Sequence, residues 1–450
     1  MPEHAGPARR KQRPWGTEIS KGLSALTFVI ILMGVWAQGV VHFGWVIGCL
    51  IGWFVAPVAA VAGSMLFLLW TVPMRGPDQL SLRRRRSRPT VVADQSAAPP
   101  SISVIMPVFN AERYLVHSLP PLMEMLRRGE LAEVVVVDDG ATDGSADYCR
   151  RMGAQVVPSG GRLGPGGARN VAARNAVGEI IWFIDSDVVV HAGGASIIRD
   201  AFAEPNVVAV FGSYDDTPSA PNFGSQYKNL VHHHYHQHAD PSASTFWSGC
   251  GAVQRDAFLA VGGFDSEKYR VPSIEDVDLG YRLRAAGGLI TLERRLLSTH
   301  LKRWSVPELV KTDIFRRALP WARLMLRQSD VLDDLNVGTF ERLRAGLAGV
   351  SVLALVGVLV GMLPLWWLAP LLFTSLTANW DLFRLFERRR GVAFAAVALA
   401  FHQVYYLYSA ATFVWCWVEA KLLHRKPAAA PQAAPLTAPE EVSIGRPKAA

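Results

Sequence analysis

Two pairs of carboxylates occupy positions where acids are costly. Asp185 and Asp187 close the apolar run Ile180-Ile181-Trp182-Phe183-Ile184, and Glu275-Asp276 open the segment IEDVDLGYRLRAAG. A carboxylate set against a core segment needs a compensating partner. Residues two apart in extended chain face one side, so Asp185 and Asp187 would repel and one would tend to hold a proton. Mg²⁺ or Mn²⁺ relieves that repulsion, because hard cations take carboxylate oxygens together with ligand phosphates. An N-capping aspartate or a surface turn is the competing reading of D-x-D alone. Glu275-Asp276 suit the first turn of a helix, where acids complement the dipole, and such a placement still lets a carboxylate point into a cleft.

The surrounding pattern predicts what positions these acids. SISVIMPVF, EVVVVDD, AQVVPS and EIIWFID read as short strands. Helix-like segments separate them over 112–128, 145–152 and 168–176. Strand–helix alternation implies a parallel sheet covered by helices, and ligands gather at the carboxyl ends of such strands. Asp138-Asp139 and Asp185-Ser186-Asp187 both fall at such ends, so acidic groups converge on one edge.

SISVIMPVFNAERYL, VVVVDDGATDGS, GPGGARNVAARNA, FIDSDVVV, FWSGCGAVQRDAFLAVGGFD and IEDVDLGYRLRAAG follow one another across residues 101–287. This ordered series resembles the family 2 glycosyltransferases, inverting enzymes of the GT-A fold that use nucleotide-diphospho-sugars. The resemblance covers the whole polar domain and implies a mixed, mainly parallel α/β sheet flanked by helices. It implies that Pro107 and Phe109 line the nucleotide pocket, that Asp139 accepts a hydrogen bond from the base, and that Arg169 approaches the nucleotide or its diphosphate. Asp187 would be a metal ligand, with Asp185 nearer the ribose and metal. Asp276, second of the Glu275-Asp276 pair, would be the general base. A divalent Mg²⁺ or Mn²⁺ would compensate the leaving diphosphate, and the base would take the proton of an attacking hydroxyl.

Other motifs remain open or depart from the pattern. His300 in STHLKRW reads as an extra metal ligand, a structural histidine or a phosphate contact. GGRLGPGGARN lacks the features of a P-loop or a dinucleotide fingerprint, and Gly164 to Gly167 read as a flexible loop leading into a helix near the diphosphate. HHHYHQH, residues 232–238, has no cysteine or carboxylate set to complete a zinc site and reads as a polar helix face by the acceptor entrance. Processive synthases of the family carry Q-x-x-R-W after the base. Here VPELVKTDIFRRALPWARLMLRQ has arginines and Trp321 without that glutamine, which argues against long-chain polymerisation. Its apolar residues and arginines suggest an amphipathic helix at a membrane interface.

Half of the 450 residues are hydrophobic and 19% are charged, an apolar balance for a soluble protein. Residues 22–73 contain no Lys, Arg, Asp or Glu, long enough for a hairpin of two spans and too long for a signal peptide. Further apolar blocks run over 345–380 and 392–418. The basic segments at 9–11, 83–86 and 388–390 place the polar domain in the cytoplasm by the positive-inside rule. A fifth span would send Lys421 to Lys426 outside, so four or five spans stay open. The formal charge of +8 follows this topology and suits anionic lipid and phosphate ligands, not a nucleic-acid groove. Cys49, Cys149, Cys250 and Cys416 show no metal or disulfide spacing.

The expected order is a cytoplasmic tail (1–21), a membrane hairpin (22–73), a basic linker (74–98), a GT-A domain (99–304), interfacial helices (305–344), two or three membrane helices (345–420) and an Ala/Pro-rich tail (421–450). The chain reads as a multi-pass cell-membrane enzyme moving a sugar to a hydroxyl of a lipid-linked or membrane-proximal acceptor. A polyprenyl-phosphate glycosyltransferase, a polysaccharide synthase and an inactive nucleotide-sugar-binding scaffold are the alternatives.

Overall fold

The structure, a computed structural model, describes residues 74–75, 99–327, 331–332 and 338–422. The expected cytoplasmic tail and membrane hairpin, the linker apart from Met74–Arg75, and the tail beyond Leu422 lie outside the described residues. The larger of two compact units spans 73–345 and 375–450; the described part of the smaller is 346–374.

Central to the larger unit is a nine-stranded mixed sheet. Its strands are β1 (Ile102–Val108), β2 (Glu133–Asp138), β3 (Gln155–Pro158), β4 (Ile180–Ile184), β5 (Val188–Val190), β6 (Val207–Tyr214), β7 (Ser242–Ala243), β8 (Cys250–Gln254) and β9 (Leu289–His300). The order is β3-β2-β1-β4-β8-β6-β9-β5, with β7 beside β9. Strands β3, β2, β1 and β4 pair in parallel, β6 pairs in parallel with β9, and antiparallel β8 joins the two sets. The sheet is mixed: the parallel pairing expected from the strand–helix alternation is present in β3-β2-β1-β4 and β6-β9, and the other four pairings are antiparallel.

Helices α1 (Glu112–Arg127), α2 (Ser145–Arg151), α3 (Gly164–Ala173), α4 (Gly194–Phe202), α5 (Phe223–His238), α6 (Arg255–Ala260) and α7 (Glu275–Ala285) accompany these strands. Alternation along β1 explains the layering. Val104 and Met106 pack with Leu115, Leu119 and Leu122 of α1 on one face, while Ile105 packs with Ala168 and Ala172 of α3 on the other. Both faces being covered, all seven residues of β1 and all five of β4 are buried, as parallel strands require. At about 25 cal/mol per Å² of apolar area, each such large side chain contributes roughly 1.5–3 kcal/mol.

The parallel strands end together at Val108, Asp138, Ile184, Tyr214 and His300. Cys250 pairs with Ile184, so the loop entering β8 reaches the same edge. Close packing brings α7 there: a Cβ on Gly280 would lie 2.5 Å from the backbone nitrogen of Phe246.

After β9 come α8 (Val306–Thr312), one stretch of π-helix (Asp313–Ala318) and α9 (Leu319–Arg327). Leu309, Ala322, Leu324 and Met325 are buried, so much of the apolar surface expected to face a membrane interface packs inside the protein. The remaining helices are α10 (Thr339–Leu359), α11 (Leu368–Ala378), α12 (Trp380–Arg390) and α13 (Val392–Leu422). Among the described residues, α10 and α13 are long and apolar enough to cross a membrane, and Leu365–Ala378 is a shorter apolar stretch. Helix α12, absent from the expected order, separates the apolar blocks. Its Leu382 and Phe386 are buried and Arg388 to Arg390 are exposed.

Candidate active site

The first acid pair is placed by a turn. After β4 the chain reverses, with the N–H of Val188 donating to the carbonyl of Asp185 at 3.0 Å. Asp185 and Asp187 are therefore not related by strand alternation, as extended chain would have had them. The short β5 then pairs antiparallel with β9, placing Val188 opposite His300. That register sets Asp187 beside His300, Oδ2 to Nε2 at 3.5 Å. Asp185 turns elsewhere: its Oδ1 accepts a hydrogen bond from Nη2 of Arg169.

Their surroundings push the two acids in opposite directions. For Asp185, burial and the charges of Asp187 and Asp276 outweigh Arg169 and raise the pKa. For Asp187, burial also raises it, but His300 and Lys302 prevail and hold the carboxyl below its ordinary range. Asp187, held below its ordinary range, is ionised at neutral pH.

The second pair opens α7. Asp276 Oδ2 accepts from the backbone N–H of Ser248 at 3.2 Å and from its hydroxyl at 3.3 Å, and Oδ1 accepts from the N–H of Val277 at 2.9 Å. Burial raises its pKa against the pull of Ser248, Arg169 and Arg317. Glu275, 5% exposed, is pushed up to about 7 by burial and the charge of Asp276. Asp278 is committed to Lys268 and Arg282 at 2.7 and 2.9 Å.

Arg169 ties the pairs together. Only 2% exposed, it bonds Asp185 and places Nη1 4.0 Å from Glu275 Oε1. Its Nε and Nη1 make no hydrogen bond among the described residues. Buried donors of that kind are costly unless a ligand takes them.

The remaining expected positions flank this edge. Pro107 is buried in β1 and Phe109 is 36% exposed at its end, with the Arg162 guanidinium 3.8 Å over the ring. Both oxygens of Asp139 accept backbone N–H groups, from Leu163 at 2.8 Å and Gly164 at 2.9 Å, so this carboxylate anchors the loop before α3. Gly164 to Gly167 were expected as a flexible loop; they form the first turn of α3 instead, with Pro165 near its start where its missing N–H is harmless. Gly164 has φ +77°, and a Cβ there would lie 2.7 Å from the carbonyl oxygen of Arg270.

The histidine run on α5 also differs from its expectation. His234 and His236 are buried, and His232 and His236 pack against Trp247 at 4.6 and 5.5 Å between ring centroids. Burial drives the His236 pKa down to about 4. This is a packed aromatic layer of largely neutral rings, because α5 covers the sheet instead of facing solvent.

Ser248, Tyr214 and Asn229 join the site with little or no signal in the sequence. Ser248 lies in FWSGCG and carries only a motif signal; Tyr214, stacked on His300 at 4.5 Å, and Asn229 carry none.

Asp187 and His300 fit a hard divalent cation. Their facing atoms, 3.5 Å apart, would both reach one ion, which would compensate the charge of Asp187. Among the described residues no set of three or more His, Cys, Asp or Glu side chains converges for a metal, so the other positions would fall to ligand oxygens and water.

Residues 103–262 match the model of glycosyl transferase family 2, and they form a glycosyltransferase domain. A 118-residue stretch is 29% identical to glycosyltransferase GlyG of Streptococcus pneumoniae, covering 25% of this chain and 38% of that protein. A 106-residue stretch is 38% identical to poly(ribitol-phosphate) beta-N-acetylglucosaminyltransferase TarS of Staphylococcus aureus, covering 22% and 18%. The chain thus spans well under half the length of these curated relatives. Among solved structures, mannosyltransferase PcManGT of Pyrobaculum calidifontis, in complex with GDP-Man and Mn²⁺, is 18% identical over 82% of this chain and 98% of that one, with a TM-score of 0.39.

Proposed function

We propose that this chain is a membrane-anchored, metal-dependent, inverting glycosyltransferase of GT-A type. It moves a sugar from a nucleotide-diphospho-sugar to a hydroxyl of a lipid-linked or membrane-proximal acceptor, with its catalytic domain in the cytoplasm. The observation that carries this reading is the family 2 domain with both acid pairs at one sheet edge, joined through Arg169. Helices α10 and α13 support the membrane anchor by length and composition. The relatives' names specify N-acetylglucosaminyl and glucosyl transfer, so the sugar stays open.

In this reading Phe109 stacks on the base, Pro107 forms the floor beside it, and Asp139 holds the loop that closes the nucleotide pocket. Arg169 fixes Asp185 and sets its positive charge near the diphosphate. Asp187 and His300, with Asp185 nearby, would hold the divalent ion. When bound, that ion supplies charge compensation for the leaving diphosphate. Asp276 takes the proton of the acceptor hydroxyl, for which a pKa raised by burial suits it. Ser248 aims that carboxylate. The acceptor oxygen bonds to the anomeric carbon as the bond to the diphosphate breaks, and attack from the opposite face inverts the configuration.

The test is the full chain in detergent with a panel of UDP- and GDP-sugars, scored for nucleotide release and thermal shift, with Mg²⁺ or Mn²⁺ and with chelator. We expect release on one donor class, abolished by chelator and restored by metal. No release and no shift with any donor would leave the inactive scaffold as the better reading; full activity in chelator would remove the metal.

A further inference from the structure

Asn229 has no role in the reading above, yet it contacts His300 directly. It is 1% exposed in the middle of α5, and its Oδ1 stands 2.9 Å from His300 Nδ1. Resting on the metal-dependent reading, we propose that Asn229 is the positioning residue that makes His300 a metal ligand. A carbonyl oxygen can only accept a hydrogen bond, so Nδ1 carries the proton. In the neutral ring, the form that can bind a cation, Nε2 is then left with a lone pair, and Nε2 is the atom that faces Asp187. Ligating histidines commonly donate their second N–H to a carbonyl or carboxylate, which fixes both tautomer and ring orientation.

The ring and the helix that carries the amide are both held in place. Tyr214 stacks on His300 at an interplanar angle of 8°, so the imidazole cannot tilt without breaking that contact. On the same side of α5 as Asn229, Ser225 accepts the N–H of Trp304 at 2.7 Å, and His233 and His236 donate to the carbonyls of Tyr214 and Gly212 at 2.7 and 2.8 Å. On the other side Tyr227 bonds His402 of α13 at 2.8 Å, and Lys228 bonds Asp313 at 2.7 Å. The helix is pinned between the strand ends and α13, and Asn229 is held where His300 needs it.

The opposite amide orientation has the reverse consequence. An NH₂ group facing Nδ1 would put the proton on Nε2 and aim it at Asp187, closing the pair to a cation. Substitution separates the two. Asn229→Leu keeps the volume and removes the acceptor; Asn229→Asp keeps an acceptor and removes the donor.

The experiment is Mn²⁺ binding to the full chain in detergent without donor, followed by electron paramagnetic resonance of the free ion. Asn229→Leu should bind about 10- to 100-fold more weakly, the usual loss on removing such a partner, and Asn229→Asp should bind at least as tightly as wild type. The Mn²⁺ concentration needed for half-maximal nucleotide release should rise for Asn229→Leu, with the plateau largely recovered at saturating metal. Equal binding by wild type and Asn229→Leu, or a loss in Asn229→Asp as large as in Asn229→Leu, would overturn the inference and leave the metal-dependent reading standing. Wild type that binds no Mn²⁺ even with donor present would overturn both.

Discussion

Asp185 and Asp187 follow a strand and are drawn apart by separate partners, Arg169 for one and His300 for the other. Glu275 and Asp276 open a helix, where backbone N–H groups hold both carboxylates and burial raises both pKa values. The first arrangement keeps Asp187 ionised and suits holding a cation. The second keeps carboxyls hungry for protons and suits taking one from a hydroxyl. Sequence spacing alone gives two acidic pairs; their neighbours divide the labour between them.

The comparison breaks most sharply at Asp276. Asp276→Asn keeps the shape and loses proton acceptance, so transfer to a hydroxyl acceptor should fall 10²- to 10⁴-fold, roughly 3–5 kcal/mol of barrier, while donor affinity survives. Asp187→Ala should weaken donor binding and transfer together. Isothermal titration with donor beside a transfer assay reads both, and near wild-type transfer by Asp276→Asn would transfer the leading reading to a phosphate acceptor, which has no proton to lose.

Glu275 sharpens it through pH. Its carboxyl, ordinarily near 4.5, titrates near 7 in the folded protein. Below about pH 4.5 folded and unfolded chains both hold the proton; between about 4.5 and 7 the unfolded chain ionises first, so stability is lost as pH rises through that window. At about 1.4 kcal/mol per unit the ceiling is about 3 kcal/mol. In chelator, Glu275→Gln should match wild type in thermal unfolding near pH 5 and exceed it at pH 8. Asp187, with a lowered pKa, acts with the opposite sign, contributing stability above its unfolded value that is lost as pH falls. An unchanged pH slope in Glu275→Gln would show that this acid is not held neutral.

The smallest effect belongs away from both pairs. Tyr235 donates to Glu341 Oε2 at 2.7 Å, and Tyr406 donates to the same oxygen at 2.9 Å. Tyr235→Phe leaves Glu341 partly satisfied and should cost about 1 kcal/mol, read as a small drop in unfolding temperature in detergent with the transfer rate unchanged.

What was legible in the sequence was what is local. β4 announces itself by five consecutive apolar residues, and the acids that end it follow within three positions. Glu275-Asp276 lie at a helix start, as their types suggest. Legibility failed where a second segment decides. The turn at Asp185–Val188 and the pairing of Val188 with His300, not strand alternation, place Asp187. The histidines of α5 read as a polar face because their types are polar, but the sheet beneath them buries one side. Asn229 meets His300 across 71 residues of chain, and no spacing rule reaches that far.

The contacts of α5 with α10 and α13 also bear on the order in which the protein is made. Tyr227 meets His402 across 175 residues, and Tyr235 meets Glu341 across 106. At about 5–20 residues per second, roughly 10–35 s of synthesis separate Tyr227 from its partner. The sheet is fully translated well before α5, which lies over the edge bearing Asp187 and His300, can be fastened from both sides. A nascent chain stopped before Val392 would carry every acid of the site and lack the far anchor of the helix that bears Asn229. The helix that bears Asn229 is therefore fastened from its far side only after α13 has emerged.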